Sequence, residues 1–241
     1  MAIELPNEVA QLLQFIGINW PQVNEDKVRE AGQHVTAFGQ NVQSAHADAT
    51  ATLQQAGQHY QGNAYEAMIA TWGQKSQDHM HELITACQVV GTALDAAADV
   101  IIGMKVAAIA ELVVLAASFI ADQAAAVATF GIAEAAVALI EELAEKVVEF
   151  LEQQLIQYII GEVIQAAIQP LIGVVDKAVN GLAYQAMSSI LGTSGGSSAG
   201  SGFSMNVEDF KSHGQVMSQH AQTIAGHADD LKSTLSGMSF E

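Results

Sequence analysis

The histidines are the side chains whose type and spacing come closest to a chemical site in this sequence. His213, His220 and His227 recur every seven residues near the C-terminal end. Two helical turns separate neighbours by roughly 10 Å, whereas metal ligands lie about 2 Å from the ion. His79 and His81 have a spacing that points them to different sides of a helix. We therefore predict no metal site. A helix face that gains charge in mild acid is the simpler interpretation of the three, with a pH-sensitive partner contact as the alternative.

Other residue patterns that carry chemistry are missing from the sequence. It contains no nucleophile elbow, P-loop, paired cysteine motif or dinucleotide-binding glycine fingerprint. The single cysteine, Cys87, stands in an apolar stretch and is predicted to be a buried thiol that packs as a small hydrophobic side chain. The carboxylates fall on predicted solvent-facing sides of helices. The sequence therefore predicts a protein that is not an enzyme and that folds without a cofactor.

The amino-acid composition argues against a nucleic acid as partner and favours a helical fold. The 26 acidic residues outnumber the 8 Lys and Arg, giving a net charge of −18, so the surface field would repel the phosphate backbone of a nucleic acid. Half of the residues are hydrophobic, only three are proline, and alanine is abundant. These proportions favour helices over strands on intrinsic propensity, and the predicted fold class is all-α.

The beginning of the chain bears on its localisation. Residues 1–8 are acidic and contain neither a cationic region nor an apolar stretch, so we expect no cleavable signal peptide. Charged residues interrupt the apolar sequence between Ile84 and Ile140, and we expect no window there to match the roughly 18 uncharged residues of a spanning helix. Whether the protein contacts a membrane under some conditions stays open.

Local signals predict how the first helices begin and end. Asn7 is expected to cap a short helix that Gly17 ends. Trp20 and Pro21 then make a turn, because the residue before a proline is pushed out of the helical region, and the indole is expected to anchor that turn on the body of the protein. The next helix is predicted to open at Asn24.

Two long apolar seams follow, each with spacings of three and four residues. The first seam comprises Val28, Ala31, Val35, Phe38, Val42, Ala45, Ala49, Leu53 and Ala56. The second comprises Tyr65, Ile69, Trp72, Ser76, Met80, Leu83, Cys87, Val90 and Leu94. Because each seam covers one face of a helix and a short turn joins them, they predict an antiparallel helical hairpin.

The stretch from Val100 to Leu191 is rich in Ala, Val, Ile and Leu, with helix breaks predicted near residues 121–123, 130–131 and 169–170. Such helices belong in a bundle or, conditionally, in lipid. Within this stretch one helix side is acidic: Glu134, Glu141, Glu142, Glu145, Glu149 and Glu152. A solvated face is the simpler interpretation of that side, and a docking surface is the alternative.

Residues 192–204 form a Gly/Ser-rich stretch that predicts a flexible linker and a domain boundary. The domains are therefore predicted as 1–191, a helical domain, and 205–241, one amphipathic helix. The apolar seam of that helix includes Phe210, Met217, Ile224 and Leu231. A single amphipathic helix is marginal in water, so we expect this seam to bind a partner.

The turn between the two long seams has a recognisable composition. Tyr60 and Gly62, separated by one residue, resemble the Trp-x-Gly turn of the WXG superfamily, whose small helical hairpins are exported by type VII secretion. A tyrosine here replaces the usual tryptophan. An amphipathic ring that packs beneath the turn and a glycine at the reversal meet the same physical need.

The opening residues resemble a narrower group. The run from Ile3 to Pro6, with Gly17, Trp20-Pro21 and residues 24–26, is similar to the start of the N-terminal WXG-like domain of actinobacterial polymorphic toxins, the CpnT-like group, over about residues 1–190. The resemblance implies export, binding to small helical WXG proteins and, for one member, membrane permeabilisation. Residues 208–215 also parallel residues 26–33, as in the first helix of a second such hairpin.

Export signals in this superfamily have the form Tyr-x-x-x-Asp/Glu. Tyr158 and Glu162 provide the literal match in this sequence, although a buried structural tyrosine is the simpler interpretation of an apolar setting.

Together these patterns predict an elongated antiparallel helical bundle built on a WXG-type hairpin, plus a separate C-terminal amphipathic helix. The predicted function is that of a secreted or cell-surface export and partner-binding domain of a type VII substrate, which associates with small WXG-type proteins and the secretion machinery. Formation of a homo-oligomer stays open. The alternative function is that of a pore-forming or membrane-permeabilising helical protein.

Overall fold

The computed structural model describes residues 3–56, 63–129, 133–176 and 207–240, and the regular structure in these ranges is helical throughout, which confirms the all-α prediction. The helices are α1 (Asn7–Ile16), α2 (Glu25–Ala56), α3 (Asn63–Thr129), α4 (Ala133–Tyr158), a π-helix (Ile159–Ile168) and α5 (Val207–Gly237). Residues 169–176 are also helical. The predicted linker 192–204 lies outside the described residues, so the domain boundaries drawn from the sequence stay a prediction.

The two ends of α1 are set by the backbone conformations of Pro6 and Gly17. Gly17 adopts a left-handed conformation with φ 75° and its N–H bonds to the Leu13 carbonyl, which confirms it as the residue that ends the helix. The prediction that Asn7 caps the other end is wrong, because Asn7 is the first helical residue and Pro6 occupies the cap position without a side-chain bond. Pro6 takes this place at no cost, since its carbonyl accepts the first helical hydrogen bond from Ala10.

α2 begins where the sequence predicts it, with Asn24 as the cap before Glu25. The side-chain oxygen of Asn24 accepts a hydrogen bond from the backbone N–H of Lys27 at 3.1 Å, which satisfies one of the donors left free at a helix start. The backbone N–H of Asn24 donates to the carbonyl of Phe240 at 2.7 Å. Glu25 and Asp26 fill the first turn, where carboxylates interact favourably with the helix dipole.

Two of the three predicted helix breaks are wrong. α3 continues through residues 121–123, because their alanine-rich surroundings keep a strong helix propensity. Residues 169–176 are helical despite Pro170, which stands in the first turn after the π-helix, where a proline is tolerated. The third predicted break, at residues 130–131, lies outside the described residues, between the printed ends of α3 at Thr129 and α4 at Ala133.

The described residues form two compact units. Unit 1 comprises those within Met1–Glu30, Ala93–Ala166 and Ser239–Glu241, and unit 2 comprises those within Ala31–Thr92 and Ala167–Met238.

In unit 1 the core joins three helices. α1 inserts its apolar face against α3 and α4 in one buried cluster: Val9, Leu12, Leu13, Leu112, Ala116, Phe119, Ile140, Ala144 and Val148. The ring of Phe15 contacts that of Phe119 with a centroid distance of 4.9 Å. Short as it is, α1 is held because these apolar contacts supply the stability that an isolated ten-residue helix lacks.

In unit 2 the first part of the hairpin packs closely. A Cβ placed on Gly39 would lie 2.8 Å from the Cβ of Cys87, so α2 and α3 approach each other there with no room for a side chain. Cys87 is fully buried, which confirms the prediction from the sequence. The seam residues of α2 from Val28 to Ala56 are buried as predicted, with Val28 itself in unit 1.

A buried ion pair connects three segments of unit 1. The Lys105 ammonium in α3 donates to Glu25 Oε2 at 2.7 Å and to the carbonyl of Val23, and both charged side chains are almost completely buried. The other carboxylate oxygen of Glu25 accepts a hydrogen bond from the backbone N–H of Ile3. The pair therefore holds the segment before α1 and the start of α2 against the middle of α3.

The ionisation of Glu25 reflects its surroundings. Burial is the largest single influence and favours the neutral acid, but hydrogen bonds from Lys105 and from backbone N–H groups together outweigh it, so the pKa of Glu25 is lowered. A depressed pKa in the folded state means that the pair stabilises the fold above the ordinary glutamate range. That stability is lost as the pH falls through the folded-state pKa.

Replacing Lys105 by methionine should lower the free energy of unfolding by roughly 3 to 5 kcal/mol, because Glu25 would remain buried without its partner. Urea unfolding followed by circular dichroism measures this change. The matched control is Lys146→Met, which breaks an exposed pair with Glu142 and should have little effect. A Lys105→Met variant as stable as the parent would show that the buried pair does not hold the fold.

The same pair predicts a pH dependence. Well above pH 4.5, Glu25→Gln should be less stable than the parent by a constant amount, because the parent carboxylate is then ionised in both the folded and unfolded states. The difference should shrink below pH 4.5, as the parent loses its ion pair. Unfolding series of both proteins between neutral and acidic pH test this, and a difference that stays constant throughout would contradict it.

Replacing Gly39 by alanine should destabilise the protein by about 1 to 3 kcal/mol, since the new Cβ would press on the Cβ of Cys87, which cannot move without its backbone. Gly103→Ala is the control, because nothing lies within 4 Å of its Cβ position and alanine is the better helix former by about 1 kcal/mol. The two variants should therefore shift the melting temperature in opposite directions. Equal shifts would show that the helices do not approach closely at Gly39.

Candidate interaction surfaces

The predicted entry motif lies against the core of unit 1. Trp20 is half-buried and packs on the α1, α3 and α4 cluster, while Pro21 is buried. The indole Nε1 is buried and has no hydrogen-bond partner among the described residues. Trp20 thus contributes apolar packing to the core of unit 1. This location agrees with the anchoring role expected from the sequence.

The predicted turn residues Tyr60 and Gly62 lie outside the described residues. The contacts that join α2 to the start of α3 come from two other aromatic side chains. The hydroxyl of Tyr65 donates to the Leu53 carbonyl at 2.8 Å, and the indole N–H of Trp72 donates to Thr50 Oγ1 at 3.1 Å. Both aromatic residues stand on the predicted second seam, so the sequence indicated their side of the helix but not these hydrogen bonds.

His46 is a residue that the sequence analysis missed. Its ring stacks on Trp72 with a centroid distance of 5.2 Å and an interplanar angle of 19°. Burial lowers the pKa of His46, which keeps the imidazole neutral at physiological pH. The one indication in the sequence was that His46 follows Ala45 of the first seam, which places it next to the helix face that packs in the hairpin.

The candidate export signal lies where the helix type changes. Tyr158 is the last residue of α4 and is half-buried, and Glu162 lies in the π-helix that follows. Inserted π-helical turns occur frequently at functional sites. The role of these two residues in export stays a prediction.

The seam of the C-terminal helix is partly covered by the chain itself. Ile224 and Leu231 of α5 are buried and Met217 is half-buried, whereas the side chain of Phe210 lies outside the described residues. Ile224 and Leu231 therefore need no partner protein for their burial. Partner binding through this seam stays a prediction.

The histidines of α5 form no metal-binding cluster with acidic side chains in the part of the chain that the structure describes. His213, His220 and His227 are each half-buried. Within the described ranges, no three His, Cys, Asp or Glu side chains are placed so that they could hold a metal ion.

Two surfaces of unit 1 expose apolar side chains. On α3 the exposed large residues are Val100, Val106, Val113, Val114 and Ile120, and Glu111 carries the one charge among the exposed positions between residues 100 and 121. On α4 the exposed large residues are Leu139, Leu143, Phe150 and Ile156. Exposed apolar patches of this kind mark interaction surfaces for a protein or a membrane.

Hydropathy corrects one expectation from the sequence. Two helical stretches, His79–Asp122 and Val137–Asp176, are long and apolar enough to cross a membrane, with mean hydropathy reaching 2.3 and 1.6 over 18 residues. The isolated charges were expected to prevent this, but a window that holds up to two charges among many Ile, Val and Ala residues remains strongly apolar. Only 28% and 19% of these windows are buried. Length and composition alone carry this finding, and core helices of soluble proteins can meet the same criterion.

Comparison with known proteins places the chain in a family. The family model described as the WXG100 like domain matches residues 2–147, which include α1, α2, α3 and the first part of α4. No curated protein and no solved structure matches the chain. The matched range contains the entry motif, the buried ion pair and both helices of the hairpin, and it covers more than half of the sequence; the chain therefore belongs to the WXG100-like family of the WXG superfamily.

Proposed function

We propose that this chain is a non-enzymatic export and partner-binding domain of a type VII secretion substrate, in the N-terminal region of a toxin of the CpnT-like group. WXG family proteins are helical and are secreted by type VII systems. Association with small WXG-type helical proteins is supported by the family match and by the apolar side chains that unit 1 exposes.

The observation that carries the proposal is the exposure of large apolar side chains on two helices of one unit. Val114 is 65% exposed and Phe150 is 64% exposed, although each stands in a helix whose other side packs in the core. Covering such side chains contributes roughly 25 cal/mol per Å² of apolar area removed from water. A partner helix that covers them would gain this energy without rearranging the core.

Export can be tested with the full chain in a bacterium that has a type VII system. The chain should appear in the culture medium and remain in the cells when the secretion ATPase is deleted. Replacing Tyr158 by alanine together with Glu162→Gln should reduce secretion several-fold if these residues form the export signal, because both side chains of the motif are then lost.

The control for this double variant is Gln153→Ala with Gln157→Ala, two exposed positions on the preceding turns of α4. Melting temperatures of both variants exclude misfolding as the cause. Secretion that is unchanged in the Tyr158/Glu162 variant would remove these residues as the signal. Secretion that does not depend on the ATPase would contradict the proposed function itself.

A second function, membrane permeabilisation, is favoured by one specific observation. The outer face of α3 between residues 100 and 121 carries one charge, Glu111, and one exposed hydroxyl, Ser118, which donates to the Val114 carbonyl. These 22 residues of α-helix extend roughly 33 Å, close to the thickness of the hydrocarbon core of a bilayer. A helix with such a face can enter lipid if the unit opens. A bound partner protein that also covered this face of α3 would keep it out of lipid.

Release of a dye from liposomes at neutral and acidic pH distinguishes the two functions. A permeabilising protein should release the dye, and replacing Val113 and Ile120 by glutamate should abolish the release because charge on this face is costly in lipid. Glutamate at Gln88 and Thr92, exposed positions earlier on α3, provides the control. The absence of leakage from the parent chain at either pH would rule out the second function.

A further inference from the structure

We infer that one side of α4 is a docking surface for a basic amphipathic helix of a partner protein, an inference that rests on the proposed function and specifies the chemistry of the partner. The surface consists of an apolar ridge, Leu139, Leu143 and Phe150, and an acidic edge, Glu142, Glu145, Glu149 and Glu152.

The ridge is a continuous feature of the helix surface. Because an α-helix turns about 100° per residue, Leu139, Leu143 and Phe150 fall within roughly 40° of one another around the axis. Their exposed fractions are 56%, 40% and 64%. The buried residues Ile140, Ala144 and Val148 lie to one side of the ridge, so the ridge is distinct from the face that packs in the core. A helix laid along α4 would cover all three exposed side chains.

The acidic edge lies on the other side of the ridge. Its four carboxylates fall between roughly 60° and 140° from Leu139 around the axis, and all four are exposed. Lys146, the one base of α4, bonds to Glu142 at 2.6 Å. Within the described residues Glu145, Glu149 and Glu152 form no ion pair, so three of the four carboxylates are available to a partner.

Charge selects the occupant of this surface. A second copy of the chain would bring its own acidic residues against this edge, since each copy carries a net charge of −18. An anionic membrane would be repelled in the same way, and insertion of the ridge into lipid would carry the neighbouring carboxylates toward hydrocarbon. A protein helix with aliphatic side chains on one face and Lys or Arg along one border fits both the ridge and the edge.

The apolar α3 face differs from this surface in chemistry. Its exposed residues between 100 and 121 include a single carboxylate, whereas the α4 surface alternates large apolar residues with acidic ones. The two surfaces therefore discriminate between occupants. Substitutions on α3 serve as controls for substitutions on α4.

The test uses the full chain and two synthetic helical peptides as probes. Both peptides carry the same leucine stripe, and one carries lysine along the border of that stripe where the other carries glutamate. Fluorescence anisotropy should show that the chain binds the basic peptide at least about tenfold more tightly at low salt, and that this preference falls as salt screens the charges. Equal affinity for both peptides would overturn the inference.

Matched variants locate the binding. The triple variant Glu145→Gln, Glu149→Gln and Glu152→Gln should weaken binding of the basic peptide about tenfold. The control triple Glu8→Gln, Glu82→Gln and Glu111→Gln removes the same charge from other exposed positions and should change affinity less than about threefold. Equal losses in the two triples would show that only net charge matters, and would overturn the inference.

The ridge has its own pair of variants. Replacing Leu143 and Phe150 by serine should abolish binding of the basic peptide, whereas serine at Val114 and Ile120 on α3 should retain it. Because all four side chains are exposed, none of these changes should unfold the chain, and thermal melts verify this. Retained binding in the α4 pair would show that the peptide binds elsewhere.

Failure of the inference and failure of the proposed function give different results. Co-purification with a small WXG-type protein is measured for the parent chain and for the Leu143/Phe150 variant. Loss of the complex in the variant alone supports the inference. A complex that survives in the variant overturns the inference and leaves the proposed function standing. A parent chain that forms no complex contradicts the proposed partner, and the peptide experiment then decides the inference separately.

Discussion

The buried ion pair between Lys105 and Glu25 is the interaction on which unit 1 depends. It places a charge in the middle of α3 where the surrounding sequence is apolar, and three segments of the chain must come together to satisfy it. Buried pairs of this kind add little net stability over apolar packing, but removing one partner leaves a charge that the interior cannot solvate. The pair thus specifies where the segment before α1 and the start of α2 meet α3. In the same unit, apolar side chains of α1 pack against α3 and α4.

The exposed apolar surface of unit 1 results from the short length of α1. α1 is a ten-residue helix and covers one face of α3 and α4, which leaves other apolar sides of these long helices exposed. Apolar side chains that lie together on an exposed helix face mark an interaction surface, whereas scattered ones do not. On α4 the apolar residues are bordered by carboxylates, and on α3 they are not. The difference separates a surface suited to a charged protein partner from one suited to an uncharged environment.

Much of this fold could be predicted from the sequence because its seams are regular. The spacing of Val28 to Ala56 predicted the buried face of α2, and Gly17 and Asn24 predicted the two ends of the loop between α1 and α2. The apolar setting of Cys87 likewise predicted its burial. These features are local, and each depends on helical periodicity or on one residue's backbone preference.

What could not be predicted depends on contacts between distant residues. Lys105 is 80 positions from Glu25, and nothing in the local sequence distinguishes a lysine that is buried and paired from one that interrupts an apolar stretch in solvent. The stacking of His46 on Trp72 is of the same kind. The break expected near residue 122 failed for a different reason, because a single aspartate in an alanine-rich helix does not outweigh the propensity of its neighbours.

We propose that a partner protein covers the exposed apolar side of α4. Hydroxyl-radical footprinting of the chain, alone and with a small WXG-type protein, tests it most directly, because the rate at which each ring is oxidised follows its exposure. Phe150 and Phe15 are 64% and 56% exposed in the isolated chain, so both should be oxidised readily. In the complex Phe150 should be strongly protected, with the oxidation of Phe15 unchanged. A complex in which Phe150 is oxidised as fast as in the free chain would contradict it.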